Sequence, residues 1–202
     1  MCKYIDELSV LQKAYKAFNK KYFGNQLEPV VITIQSDMKA YGYYTTGKLW
    51  KTTDGEEKKD YHEINLSAET LKRHYYNTCA TLLHEMVHHY CHVNGIKDTS
   101  RQGRYHNKDF KKIAEERGLI ISYSSAIGWS VTEPSDGLKA YIDSLKLDFQ
   151  KLYRDTPVKE PTETTKSKVF KYKCPVCGMK VRTSKEHAHI QCMDCGVTLE
   201  GY

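Results

Sequence analysis

From Leu8 onward apolar and aromatic residues recur every three or four positions, and Leu8, Leu11, Tyr15, Phe18 and Tyr22 fall on one face of a helix. Gly24-Asn25 supplies its stop. After Pro29 the period changes. Residues 30–34 are rich in β-branched side chains, residues 40–46 are aromatic and punctuated by glycine, and residues 61–66 alternate, which predicts three strands. The charged stretch 51–60 reads as an exposed turn, and Ser67 with Glu69 and Thr70 opens a short helix. That helix leads into residues 78–91, where positions 79, 82, 83, 86, 87 and 90 are apolar or aromatic, the repeat of a mostly buried helix. Thr78 is its expected N-cap and Asn94-Gly95 its stop. Residues 107–117 look helical and stop at Gly118, and Leu138, Ile142, Leu145, Phe149 and Leu152 give a helix over 137–153 its core face. The small, polar and aromatic run 122–130 reads as a surface loop or an edge strand.

The pattern then ends. Residues 154–168 contain Asp, Pro, Glu, Thr, Ser and Lys with Val158 as the only aliphatic side chain, too little apolar surface to fold, so this stretch is expected to be a linker. It separates a domain over residues 1–153 from a small module over 169–202, and 202 residues suffice for one sizeable core plus such a module. A formal net charge of +6 favours acidic partners. No stretch approaches 18 apolar residues, and the start, Met-Cys-Lys-Tyr-Ile-Asp-Glu, lacks the basic start and apolar core of a signal peptide. A soluble, cytoplasmic monomer with no membrane partner is therefore expected. Of seven cysteines, four form two Cys-x-x-Cys pairs, and Cys2, Cys79 and Cys91 are scattered; in a reducing compartment the pairs read as metal ligands and the others as free thiols.

Within the buried helix, His84-Glu85-Met86-Val87-His88 places two imidazoles four residues apart. At 3.6 residues per turn both rings return to nearly the same face, about 6 Å apart along the axis, where they can reach one ion. Zinc accepts neutral imidazole and, in hydrolytic sites, has three protein ligands with a fourth position open to water. Glu85 projects from the same turn and can take a proton from a water attacking a carbonyl. Two core histidines beside a buried carboxylate would be costly without an ion to pair them.

A third ligand must come from downstream. His92 lies two turns from His84, about 12 Å along the axis, and His89 points roughly 100° away from His88. His106 follows a polar loop, Asp98-Thr99-Ser100-Arg101-Gln102-Gly103-Arg104, which lets the chain reverse, and it is expected to open the next helix, aimed back at the pair.

The order Phe18-Asn19-x-x-Tyr22-Phe23-x-x-x-Leu27, Gly42-Tyr43-Tyr44, Glu63-Ile64-x-Leu66-Ser67, His84-Glu85-Met86-x-His88 and His106-x-x-x-Phe110 resembles the SprT-like metallopeptidase domain over residues 8–130, followed by a four-cysteine zinc ribbon as in the bacterial members. The resemblance implies a zincin-like α+β fold, a catalytic zinc on His84, His88 and His106, and Glu85 as catalytic base. It also implies proteolysis of DNA-associated proteins, the activity of the eukaryotic Spartan relatives. The chain departs from the family in a longer loop between His88 and His106, and in His106-Asn107 where the family has His-Gly.

Cys174-Pro-Val-Cys177-Gly and Cys192-Met-Asp-Cys195-Gly are two zinc knuckles 14 residues apart, and their four thiolates close a structural site for a second zinc. So small a module has little core, and metal affinity should supply most of its folding energy. Around it, Lys168, Lys171, Lys173, Lys180, Arg182 and Lys185 are interleaved with Phe170 and Tyr172, a composition suited to phosphate pairing and base stacking. The leading expectation is a zinc endopeptidase that acts on DNA-associated proteins, those crosslinked to DNA among them; binding DNA through its tail, it would be nucleoid-associated. Two others stay open: a non-proteolytic nucleic-acid-binding zinc protein in which Asp109 or Glu115 closes the histidine site, and a DNA-independent peptidase whose ribbon recruits a protein.

Overall fold

Helix α1 (Lys3–Phe23) buries Leu11, Ala14 and Phe18 completely along the face that its apolar period predicts. It stops where Gly24 and Asn25 both adopt left-handed backbone, with φ of 59° and 62°. Asn19 holds the chain beyond the stop, its amide donating to the Leu27 carbonyl at 2.9 Å and its oxygen accepting the Leu27 N–H at 3.2 Å. The structure, a computed structural model, describes residues 3–53, 59–156 and 168–202. It divides into two units, Met1–Thr156 and Pro157–Tyr202. Residues 157–167, most of the expected linker, lie outside the described residues.

In the first unit, strand β1 (Val31–Gln35) runs parallel to β5 (Glu63–Ser67), and β2 (Gly42–Tyr44) pairs antiparallel with the other side of β5. A short hairpin of β3 (Trp50–Lys51) and β4 (Asp60–Tyr61) stands where the exposed turn was expected; residues 54–58 are outside the described ones. All five residues of β5 are buried. Ile64 and Leu66 enter the core, while on the other face Asn65 accepts hydrogen bonds from the Gln35 N–H at 2.8 Å and the Thr33 hydroxyl at 3.0 Å. The Asn65 carbonyl oxygen is thereby satisfied within the sheet, while its amide nitrogen is buried with no hydrogen-bond partner among the described residues.

Helix α2 (Tyr75–Val93) packs Leu82, Leu83, Met86 and Val87 into this core with no exposure. It begins three residues before the expected cap at Thr78, because His74 caps it by accepting the Tyr76 N–H. The extra turn is held by tertiary contacts: the Tyr75 and Tyr76 hydroxyls both donate to Asp143, at 2.8 and 2.7 Å. Strands β6 (Thr99–Ser100) and β7 (Tyr105–His106), then helix α3 (Lys108–Glu115), then the hairpin β8 (Leu119–Ser124) and β9 (Gly128–Pro134) complete a second sheet in the order β6-β7-β9-β8. The run expected as loop or edge strand is thus the turn of this hairpin with parts of both strands, and β8 lies at the sheet edge.

Helix α4 (Asp136–Ser144) is capped by Ser135, whose hydroxyl accepts the Leu138 N–H. The expectation that it continues to residue 153 is corrected: Lys146 and Lys151 take left-handed φ of 48° and 54°, which no α-helix admits. The chain instead runs back over the core, with Leu147 and Phe149 packed against it, the Gln150 N–H on the Glu7 carboxylate at 2.7 Å and the Arg154 N–H on the Ala68 carbonyl at 3.0 Å. Among the described residues no helix is long and apolar enough to cross a membrane.

The second unit is all strand. β10 (Phe170–Lys173) lies between β11 (Lys180–Thr183) and β14 (Glu200–Gly201), and β12 (Gln191–Cys192) pairs with β13 (Val197–Thr198). Its buried residues are Cys174, Cys192 and Leu199, with Tyr172, Val181, Ile190 and Val197 partly buried around them.

Truncating Phe18, enclosed by Tyr22 and Tyr141 at ring distances of 6.1 and 6.3 Å, leaves a cavity that cannot collapse. Phe18→Ala is expected to lower unfolding free energy by about 3–5 kcal/mol, read as a lower urea midpoint at unchanged slope.

Candidate metal centre

The helical spacing brings His84 and His88 together, and the pairing of β7 brings His106 to them. The three Nε2 atoms form a triangle with edges of 3.2, 3.2 and 3.0 Å. The outer nitrogens explain why. His88 Nδ1 lies 2.6 Å from an Asp98 carboxylate oxygen, which can only accept. His84 Nδ1 lies 2.7 Å from the Thr132 hydroxyl, whose own hydrogen goes to the Ser130 carbonyl at 3.0 Å, so the hydroxyl accepts as well. His106 Nδ1 faces the Ile127 carbonyl at 3.4 Å. Each ring therefore carries its hydrogen on Nδ1, and three bare Nε2 lone pairs are aimed at one point.

Lone pairs in such a triangle repel, and nothing among them can donate. Four ligands at about 2.1 Å around a tetrahedral zinc stand about 3.4 Å apart, so the observed triangle fits one face of that tetrahedron, slightly contracted. Carboxylate, hydroxyl and carbonyl partners on the far nitrogens are the outer contacts that orient metal-bound histidines. Burial, reinforced by the neighbouring imidazoles, holds His84 far below the ordinary histidine range, and the same causes bring His106 down to about 4. Both rings are neutral at pH 7, the form that coordinates.

Glu85 is buried beside this group. Burial pushes its carboxyl up to about 7; the His88 ring opposes the rise, Asp98 adds to it, and a backbone hydrogen bond from Tyr44 opposes it. Phe110 forms the apolar wall, its ring 4.6, 4.7 and 4.6 Å from those of His84, His88 and His106.

His106 sits in β7 rather than opening a helix, a correction with a clear local cause: Asn107 is the N-cap of α3, accepting the Phe110 N–H at 3.0 Å. Asn107 also donates its amide to the Lys97 carbonyl at 2.5 Å and its backbone N–H to the Asp98 carbonyl at 2.9 Å. The residue that replaces the family's glycine thus ties the long loop to the site. On the other side, His106 pairs with Gly128 of β9, whose φ is 74°. A Cβ at Gly128 would stand 2.2 Å from the His106 carbonyl oxygen, so only glycine lets β9 come so close. Asp98, Thr132 and Gly128 were not singled out from sequence. An acid in the loop before His106 was the one signal available.

His89 and His92 are not in the group and pack instead around Tyr44 and His62. Asp109 is exposed on α3 and Glu115 pairs with Lys111 at 3.7 Å; neither joins the histidines to close a fourth position. Cys79 and Cys91 are free and buried, and burial pushes the Cys91 thiol up to about 12.

In the second unit Cys174, Cys177, Cys192 and Cys195 bring their sulfurs together. The Cys177 and Cys192 sulfurs are 3.7 Å apart, close to the roughly 3.8 Å edge of a tetrahedron with zinc–sulfur distances of about 2.3 Å. The Cys177 N–H points at the Cys174 sulfur at 3.5 Å, and hydrogen bonding from this amide brings that thiol down to about 7. Left-handed Gly178 and Gly196 close the two turns. The grouping is compatible with a ribbon.

The cations and aromatics of this unit separate. Lys171, Lys173, Lys180 and Arg182 are exposed, with Lys171 opposite Arg182 and Lys173 opposite Lys180, and Lys168 and Lys185 are exposed beyond them. Phe170 and Tyr172 alternate onto the other face, where Tyr172 packs on the small core and accepts the Ala188 N–H at 2.9 Å. Residues that interleave along the sequence are thus divided between the two faces by strand alternation. The aromatic beside the cations is Tyr202, exposed, with Lys180 6.0 Å from its ring centre.

A mixed α/β unit presenting three histidines to one point is a candidate metalloprotein domain. The SprT-like family model matches residues 11–124, and the chain belongs to that family. It is 52% identical over 33 residues to an uncharacterized protein encoded in the mucB 3′ region of Salmonella typhimurium, a match covering 16% of this chain and 45% of that protein. The chain therefore spans less than half the length of this curated relative. No solved structure matches.

Two outcomes are expected. Gly128→Ala is expected to push His106 aside and to lower the metal bound per chain relative to the unsubstituted protein, measured by elemental analysis after dialysis; unchanged metal content would show that β9 does not position His106. In metal-free protein, His84, His89 and His106 have depressed values, about 4 for the last two. The unfolded chain then binds more protons between about pH 4 and 6.5, so stability is full above that window and is lost as pH falls through it. Glu85 and Glu7, both raised by burial, act oppositely, against four lowered histidines once His62 is included. Thermal melts of chelated protein across this range test the sign.

Proposed function

We propose that the chain is a zinc-dependent endopeptidase with a zincin-like first unit, acting on DNA-associated proteins, including those crosslinked to DNA, and brought to them by its ribbon. The observation that carries this reading is Glu85: a carboxyl buried beside three converging imidazole lone pairs and raised to about 7. A zinc ion held by His84, His88 and His106 supplies a Lewis acid that makes water a nucleophile near neutral pH and polarises a carbonyl. Glu85, near its own midpoint at pH 7, can accept the proton of the attacking water and return it to the departing amide nitrogen. Phe110 excludes water from the far side of the imidazoles. Strand β2, paired only with β5 among the described strands, is a sheet edge whose Tyr44 backbone reaches Glu85, and an extended peptide can add to such an edge.

The ribbon supports placement on DNA. Like charges opposite one another in a sheet are unfavourable, and Lys171 with Arg182 is such a pair, whereas Lys173, opposite Lys180, has Glu200 of β14 on its other side. Phosphates along a strand relieve that repulsion and release counterions as they bind.

Glu85→Gln keeps the shape of the side chain and removes the base. It is expected to retain both zinc ions and to lose roughly 10²-fold or more of the rate of cleavage of a DNA-bound protein, followed by gel electrophoresis; cleavage at the wild-type rate would end this mechanism.

A further inference from the structure

The first unit carries an aromatic strip that the metal centre does not use. Arg101 lies over the Tyr105 ring at 4.6 Å. The Tyr105 and Tyr123 hydroxyls are 3.0 Å apart. Tyr123 meets Trp129 at a ring distance of 5.1 Å, and Lys111 lies over Trp129 at 4.0 Å. Three aromatic rings in contact are thus closed by a cation at each end. Tyr123 is 52% exposed, with exposed Ile127 and Val131 on the same hairpin. Lys108, Lys111 and Lys112 share one face of α3 and, with Glu115, Glu116 and Trp129 of β9, line an open cleft. The acids there are engaged: Glu115 with Lys111 at 3.7 Å and Glu116 with Arg117 at 3.6 Å. Lys108 and Lys112 have no carboxylate within ion-pair distance among the described residues, and Arg104 is exposed in the loop before Tyr105.

We infer that this strip is a second nucleic-acid contact, a track for single-stranded DNA on the metal-binding unit itself and separate from the ribbon. The inference rests on the reading above that the substrates are DNA-associated. An exposed ring, Tyr123, flanked by the half-buried Tyr105 and Trp129 with cations at both ends suits a flexible strand, whose unpaired bases stack on the aromatics while its phosphates meet Lys108, Lys112 and Arg104. A duplex keeps its base faces covered and could use only the cations, so single strands are preferred. Tyr105 immediately precedes His106, and Trp129 immediately follows the Gly128 that packs on it. A strand lying here passes beside the third histidine.

The test uses the full zinc-loaded chain and a fluorescent oligothymidylate, with anisotropy followed as salt is raised. Tyr123→Ala with Trp129→Ala is expected to weaken binding roughly 5- to 100-fold. Trp129→Phe, which keeps a stacking ring, should stay within a fewfold of wild type. Lys108→Glu with Lys112→Glu, at exposed positions that cannot disturb the core, should flatten the salt dependence by about 1.4 in log–log slope, two single-strand phosphate contacts. Both losses should persist when Lys171→Glu and Arg182→Glu already disable the ribbon, and cleavage of a short peptide without DNA should be unchanged by the lysine pair. Strip variants with wild-type DNA affinity, beside a weakened ribbon variant, would overturn the track and leave the proposed function standing. So would a raised KM for peptide at unchanged DNA affinity, which would make the strip a peptide surface. Strip-dependent DNA binding in a chain that cleaves no DNA-bound protein would keep the track and end the proposed function.

Discussion

The structure of the first unit depends on three imidazoles that are forbidden to satisfy one another. Because Asp98, Thr132 and the Ile127 carbonyl each engage an outer nitrogen, all three inner nitrogens are acceptors, and they are held within 3.2 Å of each other in a buried place. Unpaired buried acceptors cost free energy. The fold tolerates the arrangement because each outer contact belongs to a different element: a loop for His88, β9 for His84 and the hairpin turn for His106. A cation meets three converging lone pairs at once, so the repulsion among the three nitrogens and their affinity for metal have the same origin.

That constraint explains why a helix and a second sheet must be locked together. Helix α2 is core on one face, through Leu82, Leu83, Met86 and Val87, and ligand-bearing on the other. Any shift of α2 against the apolar core would move two ligands together, which leaves the triangle intact only if β7 moves too. Phe110 couples them, since its ring touches all three imidazoles while its own N–H is fixed by the Asn107 cap. Gly128 does the same from the opposite side by letting β9 lie against the His106 backbone.

What could be read from the sequence was local. His84 and His88 follow from one helical turn, the cysteine pairs from the spacing of a knuckle, and α1 from its apolar period, because in each case the residues that cooperate are neighbours along the chain. Asp98, Thr132 and Gly128 act on residues 10, 48 and 22 positions away, through strand pairing that no periodicity reveals. The end of α4 was hidden for a related reason: Phe149 continues the helical face of Leu138, Ile142 and Leu145, yet it reaches the core from beyond the Leu145 cap, on a tail anchored by Glu7 and Ala68. In the second unit, strand alternation puts Phe170 and Tyr172 on the face opposite the lysines that they alternate with along the chain.

On the proposed function, selectivity comes from placement. Two clefts of the first unit are open to solvent, one lined by the α3 lysines with Glu115, Glu116 and Trp129 and another by residues 37–41 with Glu69, Thr70 and Thr156. An edge strand such as β2 recognises backbone, which every extended peptide offers. A peptidase of that kind would cut any unfolded segment it met, so its useful rate must depend on how often the right protein is near. On that reading, two contacts to one nucleic-acid strand would act in concert when joined on a single chain, because the second becomes intramolecular at an effective concentration of about millimolar. Strong salt dependence follows from the same arithmetic, since every phosphate contact contributes to the slope. Charge on the surface would then do for this chain what a deep pocket does for a sequence-specific peptidase.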